Sequence, residues 1–402
     1  MKKYFNEILL GIITALCFSA FIYLADFGIV NKVVNTILGI AALALFLYIP
    51  KRAVLVAGAL IGFLWFYWIG YSFKYQGVGY MTPIVTVGFG VIYLLFFAPL
   101  ALTKKPYIRA LLLFALSFFE PFDWNWLKIE LLFVDSYIGL YKYHLALVLA
   151  ALALPSLIDN RKYKFLPLLL LIAAVNFNPP KQERAPLKIK LVQTDIPQEL
   201  KWKRESLYPT IVSIFEEIKH AEQKGYGVVV FPESVFPIFM NKNPKLIGQL
   251  QELSKKITIV AGSLLYQDGR NYNVTYVFEN GKIQIAKKLV LVPFGEYIPL
   301  PKFMQKFIND TFFSGASDFV TAKHPTDLLI KGVKFRNAIC YEASCDEIYE
   351  DTPKYVIAIS NNAWFAPSIE PILQRLLLKF YARKYGAVIY HSANYKGTGV
   401  VE

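Results

Sequence analysis

The sequence changes character at the segment Asn178-Pro179-Pro180-Lys181-Gln182-Glu183-Arg184-Ala185-Pro186. Long apolar runs precede this segment, and shorter apolar runs separated by polar residues follow it. Proline interrupts a helix and charged side chains are costly in hydrocarbon, so the segment ends the last apolar run. We therefore expect a transmembrane domain at residues 1–178, a linker at 179–186 and a globular domain at 187–402.

Composition supports this division of the 402 residues. Charged residues make up 18% of the chain, whereas ordinary soluble domains contain about 25%. Residues 1–178 contain 14 Lys and Arg and 7 Asp and Glu, and the remainder contains 29 and 22, so each part carries a net charge of +7. The composition argues against a wholly soluble or disordered chain. Because neither part is a strongly basic block, we expect no nucleic-acid partner.

The first part contains enough apolar runs for about seven membrane spans, since each span needs about 20 apolar residues. Short polar segments separate these runs. The predicted spans are 5–25, 33–50, 53–72, 83–102, 108–122, 138–158 and 164–178.

Basic residues alternate between the two ends of these spans, and cytoplasmic loops carry the excess of Lys and Arg. If seven helices cross, one side holds Lys2, Lys3, Lys51, Arg52, Lys104, Lys105, Arg109, Arg161, Lys162 and Lys164. This pattern places the N-terminus in the cytoplasm. An odd number of crossings then places the globular domain outside, which is the periplasm in a bacterial inner membrane.

The globular part has short predicted strands that alternate with amphipathic helices, a pattern typical of an α/β sandwich. The helices are predicted at 207–224 and 371–385, with a third at 244–256. The strands are predicted at 187–193, 227–231, 257–261, 274–278, 282–288, 332–340 and 355–360.

Three candidate catalytic residues follow predicted strands. Glu233 comes directly after the apolar run 228–231, where poor solvation would suit a general base. A hairpin signalled by Asn280-Gly281 leads to Lys287 and Lys288, and because side chains alternate along a strand, at most one of them faces a pocket. Cys340 ends the strand predicted at 332–340 and is a candidate nucleophile if a base removes its proton.

Each of these residues also has a structural interpretation. A carboxylate after a strand is often paired for stability, adjacent lysines are often solvated, and a free cysteine is often a small buried apolar residue. In combination they are more specific, because a base, a cation and a thiol make an acyl-transfer site.

The three cysteines and four histidines form no CxxC or HExxH motif, so neither a disulfide framework nor a zinc site is predicted.

Five segments of the globular part are more informative than single residues. They are Val192-Gln193-Thr194-Asp195-Ile196-Pro197-Gln198 with Lys201-Trp202, Phe231-Pro232-Glu233-Ser234, Lys288-Leu289-Val290-Leu291-Val292-Pro293-Phe294-Gly295-Glu296-Tyr297-Ile298-Pro299, Ala338-Ile339-Cys340-Tyr341-Glu342, and Ser360-Asn361-Asn362-Ala363-Trp364-Phe365. With these segments the chain resembles the bacterial apolipoprotein N-acyltransferase family, which joins a multi-helix membrane part to a nitrilase-like domain. The Glu233 and Cys340 segments alone are similar to the wider nitrilase superfamily. The segment at 288–299 and the membrane part are similar to this family in particular.

The resemblance implies a multi-helix transmembrane bundle joined to a nitrilase-like α-β-β-α sandwich. It also implies a role for each site residue. Glu233 would be the general base, Lys288 would stabilise the oxyanion and Cys340 would be the nucleophile. Tyr341 would supply a second oxyanion donor through its backbone N–H. Glu296 and Glu342 would support the site, and Trp202 and Trp364 would contact lipid or lipoprotein or simply pack.

The implied reaction moves an acyl chain from a membrane phospholipid, through a thioester at Cys340, to the α-amino group of a diacylglyceryl-cysteine on an apolipoprotein. Both substrates are lipids in the plane of the inner membrane. The resemblance implies no metal or organic cofactor, and nothing in the sequence requires more than a monomer.

Some positions depart from the family pattern. Asn362 stands where the family commonly has Asp, Ala366 stands where it has Gly, and residues 391–397 match only loosely. The resemblance also predicts more of the globular domain and a final membrane helix beyond Glu402.

Two alternative functions remain. One is a membrane-anchored amidase that uses water instead of an amine, and the other is a non-enzymatic transporter or scaffold. Few charges lie within the apolar runs, which counts against transport.

Overall fold

The computed structural model describes residues 2–293, 295–297 and 319–402. Within them the chain forms two units, Met1–Pro179 and Pro180–Glu402. The first unit is helical and the second is built on two β-sheets.

The helices of the first unit are largely apolar, and three segments are long enough to cross a membrane: Lys3–Asp26, Lys51–Gln76 and Gly79–Ala101. Many of their large apolar side chains are exposed, as expected for surfaces that face lipid rather than water. The α-helices are α1 (Lys2–Asp26), α2 (Lys32–Tyr48), α3 (Lys51–Phe66, continued by the 3-10 helix Tyr67–Gln76), α4 (Thr82–Ala101), α5 (Pro106–Leu116), α6 (Lys142–Ala153) and α7 (Leu170–Ala173).

The structure differs from the predicted spans in the last three helices of this unit. The span predicted at 108–122 is a helix that ends at Leu116, before Glu120 and Pro121. The span predicted at 138–158 begins as a helix only at Lys142. At 164–178 the structure has a 3-10 turn at Leu166–Leu169 and then α7. Proline and polar residues interrupt the backbone in these regions.

Arg109, in α5, is buried and joins the ends of two neighbouring helices. Its guanidinium donates hydrogen bonds to the carbonyl oxygens of Phe46, Ile49, Leu100 and Thr103 at 2.6 to 3.2 Å. The last carbonyls of a helix lack partners within the helix and lie at the negative end of its dipole, which favours a cation. Arg109 therefore holds together the ends of α2 and α4 at the start of α5.

The described residues of the second unit form two five-stranded sheets. The order of the first is β1-β2-β3-β4-β5 and that of the second is β10-β9-β8-β7-β6. Parallel pairs join β1, β2 and β3 in one sheet and β7, β8 and β9 in the other, and the remaining pairs are antiparallel. The strands are β1 (Ile189–Leu191), β2 (Val228–Val230), β3 (Thr258–Gln267), β4 (Arg270–Glu279), β5 (Lys282–Lys287), β6 (Asp327–Ile330), β7 (Val333–Ile339), β8 (Tyr355–Asn361), β9 (Val388–Asn394) and β10 (Gly399–Val401).

The two sheets pack face to face, and helices cover their outer faces. The helices are α8 (Gln198–Lys201), α9 (Arg204–Gln223), α10 (Pro244–Leu253) and α11 (Glu370–Tyr385). Val228 and Val230 of β2 join the core between the sheets, and Val229 joins the core under α9 and α10. This alternation follows from the two-residue period of a strand. The unit is the α-β-β-α sandwich that the resemblance implied.

Most of the strands lie where the sequence pattern predicts them, but three strands were not predicted. The hairpin between β4 and β5 turns at Asn280 and Gly281, both with positive φ (50° and 76°), as the Asn-Gly pair predicts. The strands β6, β9 and β10 were not predicted. Two of them are short edge strands, and β9 includes polar residues that side-chain hydrogen bonds satisfy within the fold.

Candidate active site

Glu233 lies in the turn that follows β2. The next residue, Ser234, has a positive φ of 45°, and the turn packs against Gly262 of β3. A Cβ at Gly262 would lie 2.4 Å from the backbone nitrogen of Ser234 and 2.7 Å from the Cα of Glu233. Glu233 is 8% exposed, and its side chain accepts a 2.7 Å hydrogen bond from Asn273 Nδ2. A glycine on the neighbouring strand is therefore what allows this carboxylate to take its position.

Lys288 follows β5 and is 1% exposed. Its backbone N–H donates to the carbonyl oxygen of Asn273 at 2.9 Å, which extends the pairing of β5 with β4. The ammonium lies 2.7 Å from Glu296 Oε2 and 4.0 Å from Glu233 Oε1. Burial alone would lower the Lys288 pKa, but the negative charges of Glu296 and Glu233 outweigh it, so the pKa is raised and the side chain is a cation.

Lys287 turns away from these carboxylates. Its Nζ donates to Gln267 Oε1 at 2.9 Å and lies 3.8 Å from the centroid of the Tyr272 ring. The alternation of side chains along β5 thus separates the two adjacent lysines, and Lys288 is the one that reaches Glu233 and Glu296.

Cys340 begins the turn that follows β7 and has a φ of 58°. This left-handed backbone conformation is costly for a residue with a Cβ and is held by the surrounding structure. Burial of the thiol raises its pKa well above the usual value, as does the nearby Glu233, while Lys288 lowers it. The thiol is therefore protonated near neutral pH and needs a base to form a thiolate.

Glu342 connects the Cys340 turn to the segment after Lys288. Its carboxylate accepts hydrogen bonds from the backbone N–H groups of Ile339 (2.7 Å), Leu289 (2.6 Å) and Val290 (2.9 Å). Burial raises the Glu342 pKa to about 7, although Lys288 and the three N–H donors oppose this. Glu342 thus fixes the strand-end segments on which Lys288 and Cys340 lie.

The structure brings together five of the eight residues predicted for the site: Glu233, Lys288, Glu296, Cys340 and Glu342. Tyr341 is buried within the Cys340 turn. Trp202 is 48% exposed at the end of α8, and Trp364 lies partly exposed in the 3-10 helix Asn362–Phe365. Of the segment 288–299 that carries the resemblance, residues 294, 298 and 299 lie outside the described residues.

Two residues next to Glu233 were not predicted as part of the site. Asn273, in β4, donates to the Glu233 carboxylate, and Lys201, in α8, donates from Nζ to the Glu233 backbone carbonyl at 2.9 Å. Lys201 was noted only as part of a resembling segment. Asn273 lies four residues after Gly269 in the turn between β3 and β4 and carries no signal of its own in the sequence.

Asn362, which replaces the family's usual aspartate, is buried and bonded. Its Nδ2 donates to Gln374 Oε1 and to the carbonyl oxygen of Lys396, both at 2.9 Å. An amide can donate in this way and a carboxylate cannot. Gln374 of α11 therefore accommodates the departure at this position.

Comparisons with known proteins agree with this architecture. Residues 5–177 match the apolipoprotein N-acyltransferase integral membrane domain. Over 388 residues the chain is 41% identical to the apolipoprotein N-acyltransferase of Wolinella succinogenes, covering 96% of this chain and 94% of the relative. The chain belongs to the apolipoprotein N-acyltransferase family. It is an acyltransferase with an integral membrane domain.

Two other members of the apolipoprotein N-acyltransferase family are similar along most of their length. The Helicobacter pylori enzyme is 37% identical, with 91% of this chain and 87% of the relative covered. The Campylobacter jejuni enzyme is 34% identical, with 96% and 88% covered.

Among solved structures, the chain is similar to a CN-hydrolase superfamily protein from Xanthomonas campestris and to an amidase from Nesterenkonia sp. The first has 12% identity and a TM-score of 0.40, over 52% of this chain and 77% of that chain. The second has 13% identity and a TM-score of 0.36, over 54% and 81%.

Proposed function

We propose that this family member transfers a fatty acyl chain from a membrane phospholipid to the α-amino group of an N-terminal diacylglyceryl-cysteine on apolipoproteins. The observation that carries the proposal is the buried Lys288 ammonium between the Glu233 and Glu296 carboxylates. This ion pair adjoins the Cys340 turn in a chain that also has an integral membrane domain. Relatives named apolipoprotein N-acyltransferase support the choice of substrates.

The first half-reaction loads the enzyme. Glu233 takes the proton of the Cys340 thiol, and the thiolate attacks the carbonyl carbon of a phospholipid acyl ester. The S–C bond forms, and the negative charge that develops on the carbonyl oxygen is stabilised by Lys288 and the backbone N–H of Tyr341. The ester C–O bond then breaks. The leaving oxygen takes the proton from Glu233, which gives a thioester and a lysophospholipid.

The second half-reaction unloads the acyl chain onto the acceptor. The α-amino nitrogen of the apolipoprotein attacks the thioester carbon, and Glu233 accepts the proton that the amine loses. The C–N bond forms, the C–S bond breaks, and the proton returns to the Cys340 sulfur. A thioester is more reactive than an amide, so this direction is favourable without ATP, and no cofactor is required.

The remaining site residues support these steps. Glu296 holds the Lys288 ammonium in place, and Glu342 joins the backbone just before the nucleophile to the segment after Lys288. The exposed ring of Trp202 and the partly exposed ring of Trp364 are proposed contacts for lipid or lipoprotein. Both substrates are held in the membrane plane, and confining the enzyme there raises their effective concentration.

We further propose that the protein is a monomer of the inner membrane, with its N-terminus in the cytoplasm and its globular unit in the periplasm. The excess of Lys and Arg on one side of the apolar runs supports this orientation. Alkaline phosphatase fused after Glu402 should be active and green fluorescent protein at the same position should be dark. The reverse pattern would place the globular unit in the cytoplasm.

The experiment that tests the reaction uses a phospholipid labelled in its acyl chains, without an acceptor. The wild type, Cys340→Ala and Cys345→Ala are incubated with the lipid in detergent, and label on the protein is measured before and after neutral hydroxylamine. Cys345 is a matched control, because it is a buried cysteine five residues from the proposed nucleophile. We expect hydroxylamine-sensitive label on the wild type and Cys345→Ala, and none on Cys340→Ala.

Addition of a diacylglyceryl peptide should then discharge the label as an amide. Equal labelling of all three proteins would contradict a thioester at Cys340. Release of free fatty acid or turnover of a small amide, with no transfer to the peptide, would favour the membrane-anchored amidase.

A further inference from the structure

A second ammonium group is buried beside the proposed general base. Lys201 is 3% exposed, and its Nζ donates to the backbone carbonyl of Glu233 at 2.9 Å. Lysine is almost never fully buried without a charged partner. The charges that act on this ammonium are those of Glu233 and Cys340. The Lys201 ammonium therefore interacts electrostatically with Glu233 and Cys340, the two groups that exchange a proton in the proposed first half-reaction.

A purely structural anchor would not need this charge. The segment around α8 is already held by neutral groups, because Gln198 Oε1 accepts from Asn361 Nδ2 at 2.8 Å. Asn394 also bonds Thr194 and both backbone groups of Ile196 at 2.8 to 2.9 Å. Burial lowers the Lys201 pKa to about 8, which shows that keeping the ammonium charged here costs free energy. This unfavourable burial of a charge is explained if the charge acts on the reacting groups of the active site.

The groups around Cys340 include more acids than cations, so an additional positive charge would act on the thiol. Lys288 interacts with Glu233, Glu296 and Glu342, so three carboxyl groups share one ammonium. Moving a proton from Cys340 to Glu233 leaves a thiolate in the same buried region. The other titratable groups that act on this thiol are Lys288, Glu296 and Glu370, of which two are acids. A second cation offsets part of the excess negative charge.

We propose that Lys201 is a positioning residue of the acyl-transfer site: it anchors the Glu233 turn through the backbone carbonyl, and its charge favours formation of the Cys340 thiolate. The proposal rests on the function proposed above for Glu233 and Cys340. Lys201 makes and breaks no covalent bond. The proton still moves from the Cys340 sulfur to Glu233, and the Lys201 ammonium stays protonated throughout.

The test compares Lys201→Gln with Lys203→Gln. The glutamine side chain can still donate to the Glu233 carbonyl but has no charge. Lys203 is an exposed lysine two residues away and serves as the matched control. The rate at which iodoacetamide alkylates Cys340 is measured from pH 6 to pH 10 in the full-length protein, and fragment-ion mass spectrometry distinguishes Cys340 from Cys345.

We expect Cys340 to be alkylated about tenfold more slowly in Lys201→Gln than in the wild type at pH 7. The difference should narrow above pH 8, because the wild-type Lys201 then loses its charge. Lys203→Gln should match the wild type, and equal rates at pH 7 in all three proteins would overturn the role of the charge. If Lys201→Gln does not fold, Lys201→Arg decides: the wild-type rate at pH 7 is expected because the charge is kept, and a rate lower by about tenfold would refute the proposal.

Alkylation needs no lipid, so this readout is separate from the proposed reaction. Slower alkylation of Lys201→Gln at pH 7, together with no acyl transfer from phospholipid by the wild type, would leave the role of Lys201 intact and refute the proposed substrate. Normal acyl transfer by the wild type, with an unchanged alkylation rate in Lys201→Gln, would refute the role of Lys201 and leave the proposed substrate intact.

Discussion

The Lys288 ammonium lies 2.7 Å from a carboxylate oxygen of Glu296 but 4.0 Å from the nearest carboxylate oxygen of Glu233. The closer ion pair holds the cation, and the longer distance leaves the Glu233 carboxylate available to accept a proton. Asn273 completes the environment of Glu233 with a 2.7 Å hydrogen bond. Holding a cation and a base in one buried site without a direct contact between them is what the proposed chemistry requires.

The adjacent lysines give a matched pair of variants. Lys288→Gln removes the buried cation beside Glu233 and Glu296, and we expect acyl-enzyme formation to fall by about 10²-fold to 10³-fold, the usual effect of losing an oxyanion-stabilising group. Lys287→Gln should stay within about twofold of the wild type, since Lys287 contacts Gln267 and Tyr272 instead. Single-turnover labelling measures both. Comparable losses in the two variants would argue against the assignment of Lys288.

Gly262 should tolerate no side chain. A Cβ there would lie 2.4 to 2.8 Å from three backbone atoms of the Pro232-Glu233-Ser234 turn, so Gly262→Ala must displace this turn. We expect lower thermal stability and strongly reduced acyl-enzyme formation. Gly248→Ala in α10 is the control, because its Cβ meets nothing within 4 Å. Alanine there should stabilise the helix by about 0.5 to 1 kcal/mol. Normal labelling by Gly262→Ala would show that the turn can move without loss of function.

Arg109 should be essential for the stability of the membrane unit. Arg109→Met leaves buried carbonyl oxygens at the ends of α2 and α4 without their donor, at a cost on the order of 3 kcal/mol. We expect a lower midpoint of thermal aggregation in detergent and less protein in the membrane fraction. Arg161→Met, at an exposed arginine of the same unit, should change neither. An unchanged midpoint for Arg109→Met would mean that other groups satisfy these carbonyls.

The buried imidazole of His391 should make the folded protein less stable in mild acid. It is fully buried, with Nδ1 3.0 Å from the Gly397 carbonyl oxygen and Nε2 2.8 Å from Ser360 Oγ. Burial lowers its pKa to about 4, from about 6.5 in the unfolded chain. The native state holds the neutral form, so its contribution is complete above pH 6.5 and is lost as the pH falls towards 4. The loss is on the order of 3 kcal/mol.

The comparison of wild type with His391→Gln isolates this effect. Glu342 has a raised pKa of about 7, so the native state binds an additional proton in the same pH range. This proton stabilises the native state as the pH falls, which opposes the effect of His391, but it does so equally in both proteins. We expect the thermal midpoint of the wild type to fall between pH 7.5 and pH 4.5 by more than that of His391→Gln. His220→Gln, at an exposed histidine, should behave as the wild type. Parallel curves for wild type and His391→Gln would contradict a buried neutral imidazole.

Much of the candidate site follows from local sequence. Glu233 and Cys340 could be identified because each follows an apolar strand, and the Asn-Gly hairpin delivered the two lysines to a strand end. Asn273 and Lys201 could not be identified in this way. Asn273 lies 40 residues from Glu233 and Lys201 lies 32 residues from it, and only strand pairing and helix packing bring such distant residues into contact.

The sequence alone determined that the chain has a membrane part and an α/β part, because hydrophobic runs and two-residue alternation are local properties of a chain. It also determined the chemical types of the strand-end residues. Only the tertiary structure decided which lysine meets Glu233, that a glycine on β3 makes room for the Glu233 turn, and that Lys201 is buried beside it. These features depend on the register and packing of strands distant in sequence, where a displacement of one residue would turn each side chain to the opposite face.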